Sequence, residues 1–352
     1  MQKTILIIAP QYYGIDTDIQ QAFETLGFRS LLINYAERKI LERATKKIGD
    51  KLTRLKPILI PLRRRALKEE NDNFISAISE LKPDVLFIVK GDSIFPDTLE
   101  KIKKLFSCPV VNYIWDEPLY AHSENKDDYR KFNLQHGLPL YDTVFVFDSF
   151  YLDVLKRQGA KRVHYLPLAT NPNRYKDILL SDQDKVAYGY DVCFVGVPFQ
   201  SRLEILECLS EYNMGVFGDS WTKYFMVRGK KTPPYYRGLA SGEVVNKIYL
   251  ASRIVLNMHH SQSVAGLNTR TFDIPACGAF EIVDYKKIIE NHFAIDKEIV
   301  SFKDINELKS KIDFYLKNDE LRKSISLQGQ RKVLHEHTWV HRAQEVLKVL
   351  SI

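Results

Sequence analysis

The chain has 352 residues, enough for two domains at roughly 100–200 residues each and too many for one small module. Hydrophobic residues make up 45%, charged residues 27%, and there are only 16 glycines and 14 prolines, which excludes a disordered chain and a fibrous repeat. The formal charge is +7, and the excess is concentrated in one segment.

In chain order, apolar runs at 5–9, 29–34, 85–90, 110–115, 143–147 and 163–166 each meet a helical pattern, the signature of βα units around a parallel sheet. Helix stop signals fit that rhythm: 17–26 closes on Gly27, 73–81 stops before Pro83, and 150–158 closes on Gly159. Ligands of open α/β sheets bind beyond the carboxyl ends of the strands, so the loops there hold the candidates. Gly14 follows the first run, where a tight loop lets a substrate approach the backbone or simply makes a turn. Asp92 follows Gly91 after the third run, and Asp116 with Glu117 follow the fourth. Each of these carboxylates is placed for general-base work, or for pairing with one of the many lysines.

Between the second and third runs, residues 38–68 hold twelve Lys or Arg against Glu42 and Asp50, a local charge of +10 that leaves the rest slightly acidic. Interleaved leucines and isoleucines make the segment partly amphipathic, which suits anionic lipid headgroups or a solvated helical face. It lacks aromatics for base stacking, so nucleic acid is not an expected partner. The start of the chain is too short and too weakly basic for a secretory signal, and no stretch nears 18 apolar residues. Cys108, Cys193, Cys208 and Cys277 form no C-x-x-C pair and read as buried free thiols. Together these predict a cytoplasmic protein, with 38–68 a candidate for peripheral contact at the inner membrane face.

The pattern lapses into a polar, Pro-containing stretch at 168–188, where a domain junction is placed, and resumes with runs at 192–195, 215–218, 254–258, 279–283 and 299–302. Helical patterns at 201–209, 242–251, 270–277 and 305–316 alternate with them, and 339–350 ends the chain. The most informative segment is 256–278. Pro275 is best tolerated in a first helical turn, which predicts a helix start near Thr271 and free amides around 268–272. With Arg270 beside them, those amides form a candidate anion site, and Asp273 could accept from a ribose diol. The alternative is that Asn268 caps the helix and Arg270 pairs with Asp273. His259 and His260 follow the strand and point in opposite directions, so at most one can contact a phosphate or sugar; the pair is not a metal site.

The spacing Asn268-x-Arg270-x-Phe272-Asp273-Ile274-Pro275-Ala276-Cys277-Gly278-x-Phe280, after Ile254-Val255-Leu256-Asn257 and before His337-Thr338-Trp339-x-x-Arg342, resembles the CgeB-like (spore maturation type) glycosyltransferases. The stretches from Asp191 to Gly196 with Arg202, from Tyr165 to Ala169, and from Trp115 to Pro118 are similar to that group in the same order. The resemblance is strongest over 190–345. It implies the GT-B fold, two Rossmann-like doubly wound α/β domains facing a cleft, with an acceptor domain at 1–170, a donor domain at 171–336 and a last helix, 337–352, returning to the first domain.

It also implies a nucleotide-sugar co-substrate, UDP favoured, with no other cofactor and no metal. The donor would be held by Gly196, Arg202, His259, His260, Asn268, Arg270, Thr271 and Asp273, with Tyr236 and Arg237 where the base commonly lies. Arg202 and Arg270 would meet the leaving-group charge. The acceptor would be a hydroxyl of a glycan or a lipid-linked sugar, near Gly14, with Asp116, Glu117 or Asp92 as base. Many retaining members of the fold carry two glutamates separated by seven residues. Here Ala265 stands at the first position if Asp273 takes the second, and the equal spacing of Asp273 and Glu281 reads as accidental because Glu281 falls in the following strand. Inversion is therefore favoured. A GT-B-type sugar-nucleotide epimerase and a non-catalytic glycan- or membrane-binding protein are the alternatives.

Overall fold

The computed structural model describes residues 2–35, 56–119 and 129–352, and the backbone alone of 56–64. It divides into two compact units, Met1–Pro167 with Ala343–Ile352, and Leu168–Arg342. The residues that change unit are therefore 167/168 and 342/343, against expected boundaries at 170 and 336.

The first unit runs β1 (Thr4–Pro10), α1 (Ile15–Thr25), β2 (Arg29–Tyr35), α2 (Lys56–Leu81), β3 (Val85–Val89), α3 (Pro96–Leu105), β4 (Val110–Ile114), α4 (Tyr129–Gly137), β5 (Thr143–Val146), α5 (Leu152–Arg157) and β6 (Val163–Tyr165). Its six strands are parallel, in the order β2-β1-β3-β4-β5-β6. Every residue of β3, β4 and β5 is buried, as expected of strands covered by helices on both faces. Helix α3, which the apolar pattern does not reveal, starts on Pro96 with Asp97 in its first turn and ends on Lys103 and Lys104, so its charges follow the helix dipole.

The second unit runs α6 (Asp182–Tyr188), β7 (Val192–Val195), α7 (Gln200–Cys208), β8 (Met214–Phe217), α8 (Trp221–Val227), β9 (Tyr236–Gly238), α9 (Glu243–Ala251), β10 (Ile254–Asn257), α10 (Arg270–Cys277), β11 (Glu281–Asp284), β12 (Val300–Phe302), α11 (Ile305–Leu316) and α12 (Asp319–Glu336). Its parallel sheet has the order β12-β11-β10-β7-β8-β9. Helix α13 (Trp339–Leu350) begins in this unit and continues into residues that belong to the first. The polar stretch read as a junction contains α6, a helix with no buried residue, set by a capping box between Ser181 and Asp184.

Two expectations change. The cysteines are free, but only Cys193 and Cys277 are buried; Cys108 is half-buried and Cys208, at the end of α7, is exposed. Of the basic segment, 38–55 lies outside the described residues, while 56–68 forms the first half of α2, where Arg65 and Lys68 make exposed i,i+4 ion pairs with Glu69 and Asp72. Among the described residues no helix is long and apolar enough to cross a membrane.

Candidate functional site

In a doubly wound sheet the chain reverses direction between two neighbouring strands, and the loops leaving their carboxyl ends part to form a crevice. In the second unit those strands are β7 and β10. After β7 the chain turns at Gly196, whose carbonyl accepts from Trp221 Nε1 at 2.7 Å. Gly218, at φ 141°, presses on the same peptide: a Cβ there would lie 2.1 Å from the Gly196 oxygen, so only glycine fits.

Helix α7 then brings Arg202 back under this turn. The side chain is buried; Nη1 donates to Val197 O at 2.9 Å and Nη2 to Met258 O at 2.7 Å, while Nε has no partner. Arg270, the first residue of α10, donates from Nη2 to the same Met258 carbonyl at 3.3 Å and from Nε to Asn257 Oδ1 at 3.1 Å. Its Nη1 lies 3.2 Å from the place a Cβ on Gly196 would take. Burial first, and then the neighbouring Arg270, press the Arg202 guanidinium pKa downward, against a smaller opposing effect of Asp284. Among the described residues no carboxylate forms an ion pair with either guanidinium; their hydrogen bonds end on neutral oxygens. Two adjacent cations with no ion-paired carboxylate repel each other, a cost that a bound anion would offset.

The helix starts within a residue of the expected Thr271, but the place of Pro275 in it and the state of its first amides differ from expectation. Helix α10 begins at Arg270, and Pro275 lies beyond its first turn, where its missing N–H leaves the Thr271 carbonyl without the usual helical donor. The amides at 271–273 are not free: Thr271 N–H donates to Asn268 Oδ1 at 3.2 Å, and those of Phe272 and Asp273 donate to Thr269 O. The amides of Thr269 and Arg270 have no acceptor among the described residues, which makes them, with the two guanidiniums, candidates for holding an anion. Asn268 thus acts as a cap, but Arg270 turns to Asn257 instead of pairing with Asp273. Asp273 is buried in the first turn, close enough to Cys277 to add to the upward push that burial gives that thiol.

The adjacent histidines diverge as their strand position requires. His259 points inward: its Nδ1 and its backbone N–H both meet Asp284 Oδ1 at 2.8 Å, and Nε2 lies 3.4 Å from Thr271 Oγ1. Burial keeps the imidazole neutral; it also works against the Asp284 carboxylate, but His259 and Lys286 hold that group below the ordinary carboxylate range. His260 turns outward, its ring 3.8 Å from that of Phe199 in the Gly196 loop. Tyr236 and Arg237, in the edge strand β9, point apart: Tyr236 OH donates to Gly218 O at 3.0 Å, steadying the glycine loop, whereas Arg237 lies over the Tyr190 ring at 5.4 Å.

Sequence reasoning passed over Asn257 as an actor and dismissed Glu281. Both are buried in the sheet directly below Arg270, with Asn257 Nδ2 2.8 Å from Glu281 Oε1. The only signal was a polar residue at the end of one apolar strand and a charged one at the start of the next.

In the first unit the reversal lies between β1 and β3. Gly14, left-handed at φ 78°, precedes α1, whose first turn buries Asp16 against Asn34 Nδ2 at 2.8 Å. After β3, Lys90 and Gly91 are both left-handed, and Lys90 Nζ comes 3.7 Å from Asp92 and 3.5 Å from Asp116. Asp92 is buried and the Asp116 side chain is 52% exposed. Glu117 is buried and accepts from Leu119 N–H at 3.1 Å. Burial, then Glu117, Asp148 and Asp116, push the Tyr151 hydroxyl pKa upward, which shows how closely these carboxylates gather. This rim is acidic.

Residues 202–348 match the family described as glycosyl transferase-like. The spore protein CgeB of Bacillus subtilis is 22% identical over 277 residues, which cover 74% of this chain and 81% of that protein. The chain is similar in sequence to that protein. Its fold is that of GT-B proteins: sucrose-phosphate synthase from Thermosynechococcus elongatus superimposes with a TM-score of 0.67 at 12% identity, covering 99% of this chain and 98% of that one. HepE from Anabaena, solved with UDP-glucose, gives 0.63 at 10% identity over 99% of both chains. A UDP-N-acetylglucosamine 2-epimerase of Listeria monocytogenes, described as putative, gives 0.57 at 10% identity over 99% and 96%. The glycosyl transferase-like match begins at Arg202 and contains the whole of α10.

Proposed function

We propose that this protein transfers a sugar from a nucleoside diphosphate sugar, with uridine the favoured base, to a hydroxyl of a glycan, glycolipid or related acceptor. The observation that carries the reading is the convergence of Arg202 and Arg270 on the Met258 carbonyl, without a carboxylate counterion and beside the open amides of Thr269 and Arg270. A diphosphate leaving group acquires negative charge as the glycosidic bond breaks, and fixed cations and amides lower that barrier without reorganising. In this reading the arginines neutralise the leaving group and no metal is needed. The acidic rim of the first unit supplies the base, Asp116 first, then Glu117 and Asp92, and with Ala265 at the position of the first acid the reaction inverts. That HepE has been solved with UDP-glucose supports the choice of uridine.

Calorimetry with UDP, GDP, ADP and CMP, with magnesium and with EDTA, tests this. Saturable UDP binding indifferent to EDTA, and weakened roughly 10–100-fold in Arg270→Ala, is expected from losing charge-assisted hydrogen bonds worth about 1.5–3 kcal/mol. Absence of binding by any nucleotide would overturn the reading. Turnover of the donor to free UDP and an altered sugar without any acceptor would move the protein to the epimerases.

A further inference from the structure

Arg270 owes its position to a residue that touches no solvent. Asn257, at the end of β10, is fully buried, and its side chain is the centre of a hydrogen-bonded cluster. Oδ1 accepts from Arg270 Nε at 3.1 Å and from Asn268 Nδ2 at 3.0 Å. Nδ2 faces Glu281 Oε1 at 2.8 Å, Thr271 Oγ1 at 3.1 Å and Asn268 Oδ1 at 3.2 Å. The orientation of the amide is forced. A guanidinium can only donate, so the carbonyl end must face Arg270, and the amino end then needs acceptors on the other side.

Glu281 supplies one of them. It is buried in β11 opposite Val255, its Oε2 has no partner, and burial pushes its carboxyl well above the ordinary range. The two residues are separated by 24 positions in the chain but sit on neighbouring strands. A buried acid with no ion-paired cation and a buried amide are unfavourable on their own, and their retention beneath the Arg270 guanidinium, whose charge opposes the effect of burial on Glu281, calls for an explanation.

We propose that Asn257 is a positioning residue for Arg270: held in one orientation by Glu281, it clamps Arg270 Nε, leaving the Nη groups on the side of Gly196. The inference rests on the proposed anion site for its functional consequence, but the clamp can be measured without a ligand. The Arg270 Nε–Hε signal, assigned by ¹⁵N NMR through its loss in Arg270→Ala, should exchange slowly with water in the wild type and at least 10-fold faster in Asn257→Ala and Asn257→Ser. Unchanged exchange in folded variants would overturn the proposal, whatever the protein binds.

A double-mutant cycle in UDP affinity adds the functional arm. Asn257→Ala should weaken UDP about 10-fold, and Asn257→Ala with Arg270→Ala should bind within twofold of Arg270→Ala alone, because Asn257 acts only through Arg270. Losses that multiply would show Asn257 to be mere scaffold and overturn the proposal. If Asn257→Ala does not fold, Asn257→Ser, which keeps a polar group on the strand, carries both arms. A wild type that binds no nucleotide but whose Hε exchange is slowed by Asn257 would remove the proposed function and keep the clamp.

Discussion

At the carboxyl end of β1 the following helix opens with Asp16, buried and bonded to Asn34; at the carboxyl end of β7 the following helix delivers Arg202, buried and bonded to two carbonyls. Both sheets are parallel and six-stranded, with a reversal in the middle, so topology gives each unit the same crevice. Charge separates them. In the first unit the positive end of the helix dipole is already met by the protein's own carboxylate, and Asp92, Asp116 and Glu117 stand nearby, the first two within ion-pair distance of Lys90. A phosphate there would meet like charge. In the second unit, among the described residues, the amides of Thr269 and Arg270 have no acceptor and no carboxylate forms an ion pair with Arg202 or Arg270. A handful of residues at strand ends therefore gives the same topology two differently charged crevices, which under the proposed function would serve a leaving group and a proton acceptor.

The comparison breaks most visibly in turnover. Asp116→Asn should lower kcat by about 10²–10⁴-fold, the ordinary worth of a general base, and leave the Kd for UDP unchanged, whereas Arg270→Ala should weaken UDP directly. Steady-state kinetics with the identified donor, alongside calorimetry, separate the two. Should Asp116→Asn be silent and Asp92→Asn carry the loss, the base moves one strand along the sheet. Full turnover in both of these and in Glu117→Gln would remove the acidic rim from the mechanism.

A smaller effect probes how tightly the basic crevice is built. Gly218→Ala places a methyl group against the Gly196 carbonyl, in a backbone conformation that L-residues avoid, and the contact is with backbone that cannot swing aside. A loss of about 2–3 kcal/mol is expected, together with weaker UDP binding as the Gly196 turn shifts. Gly229→Ala is the control. It also has positive φ but nothing within 4 Å, so only the conformational cost of about 1 kcal/mol applies, and nucleotide affinity should hold. Chemical denaturation of both variants checks the difference. Equal losses would mean that the strain lies in φ and not in the contact.

How far these differences were legible follows from the same physics. The apolar run 85–89, and 110–114 with Asn112 its one polar residue, fit strands covered on both faces, and they were read to within a residue. Helix α12 escaped because its buried face includes Arg322, Ser326 and Gly329, and Gly329 is there for close approach: a Cβ would lie 2.3 Å from Glu298 O. Edge strand β9 is three residues long and carries an exposed arginine, so it has no period to detect. At the candidate site, Arg202 and Arg270 stand out in the sequence because cations near a glycine loop and a helix start suggest an anion. Asn257, Glu281 and Asp284 were not, because a buried polar group makes sense only through its partner, and His259 to Asp284 is a bond across 25 residues. Local sequence shows which groups are available. It does not show which of them meet.

The smallest effect concerns acid. The second unit buries three imidazoles, His259, His292 and His337, each with its pKa lowered first by burial. His337 Nδ1 accepts from Arg342 Nη2 at 2.9 Å, a bond that requires the neutral ring, and Arg342 also donates to Leu168 O. His292 is pressed down to about 4 and His337 to about 3, with Arg342 the next cause after burial for both. In the unfolded chain these rings take up protons below about pH 6.5, while in the folded unit His292 and His337 do not until far lower, so the unfolded state binds more protons and stability falls as pH drops from about 6.5 to 4, with His259 acting in the same direction. Each ring contributes up to about 1.4 kcal/mol per pH unit in that window and nothing above it. Glu281 works in the opposite sense, since its raised pKa lets the folded unit hold a proton that the unfolded chain releases. Hydrogen exchange resolved by region, at pH 7 and pH 5, should show protection falling more in Leu168–Arg342 than in the first unit, and His337→Gln, which keeps an acceptor for Arg342 but no titrating ring, should remove about a third of the difference. Equal loss of protection in both units would mean that the buried rings do not set the acid limit, and the contrast between the units would then stop at their crevices.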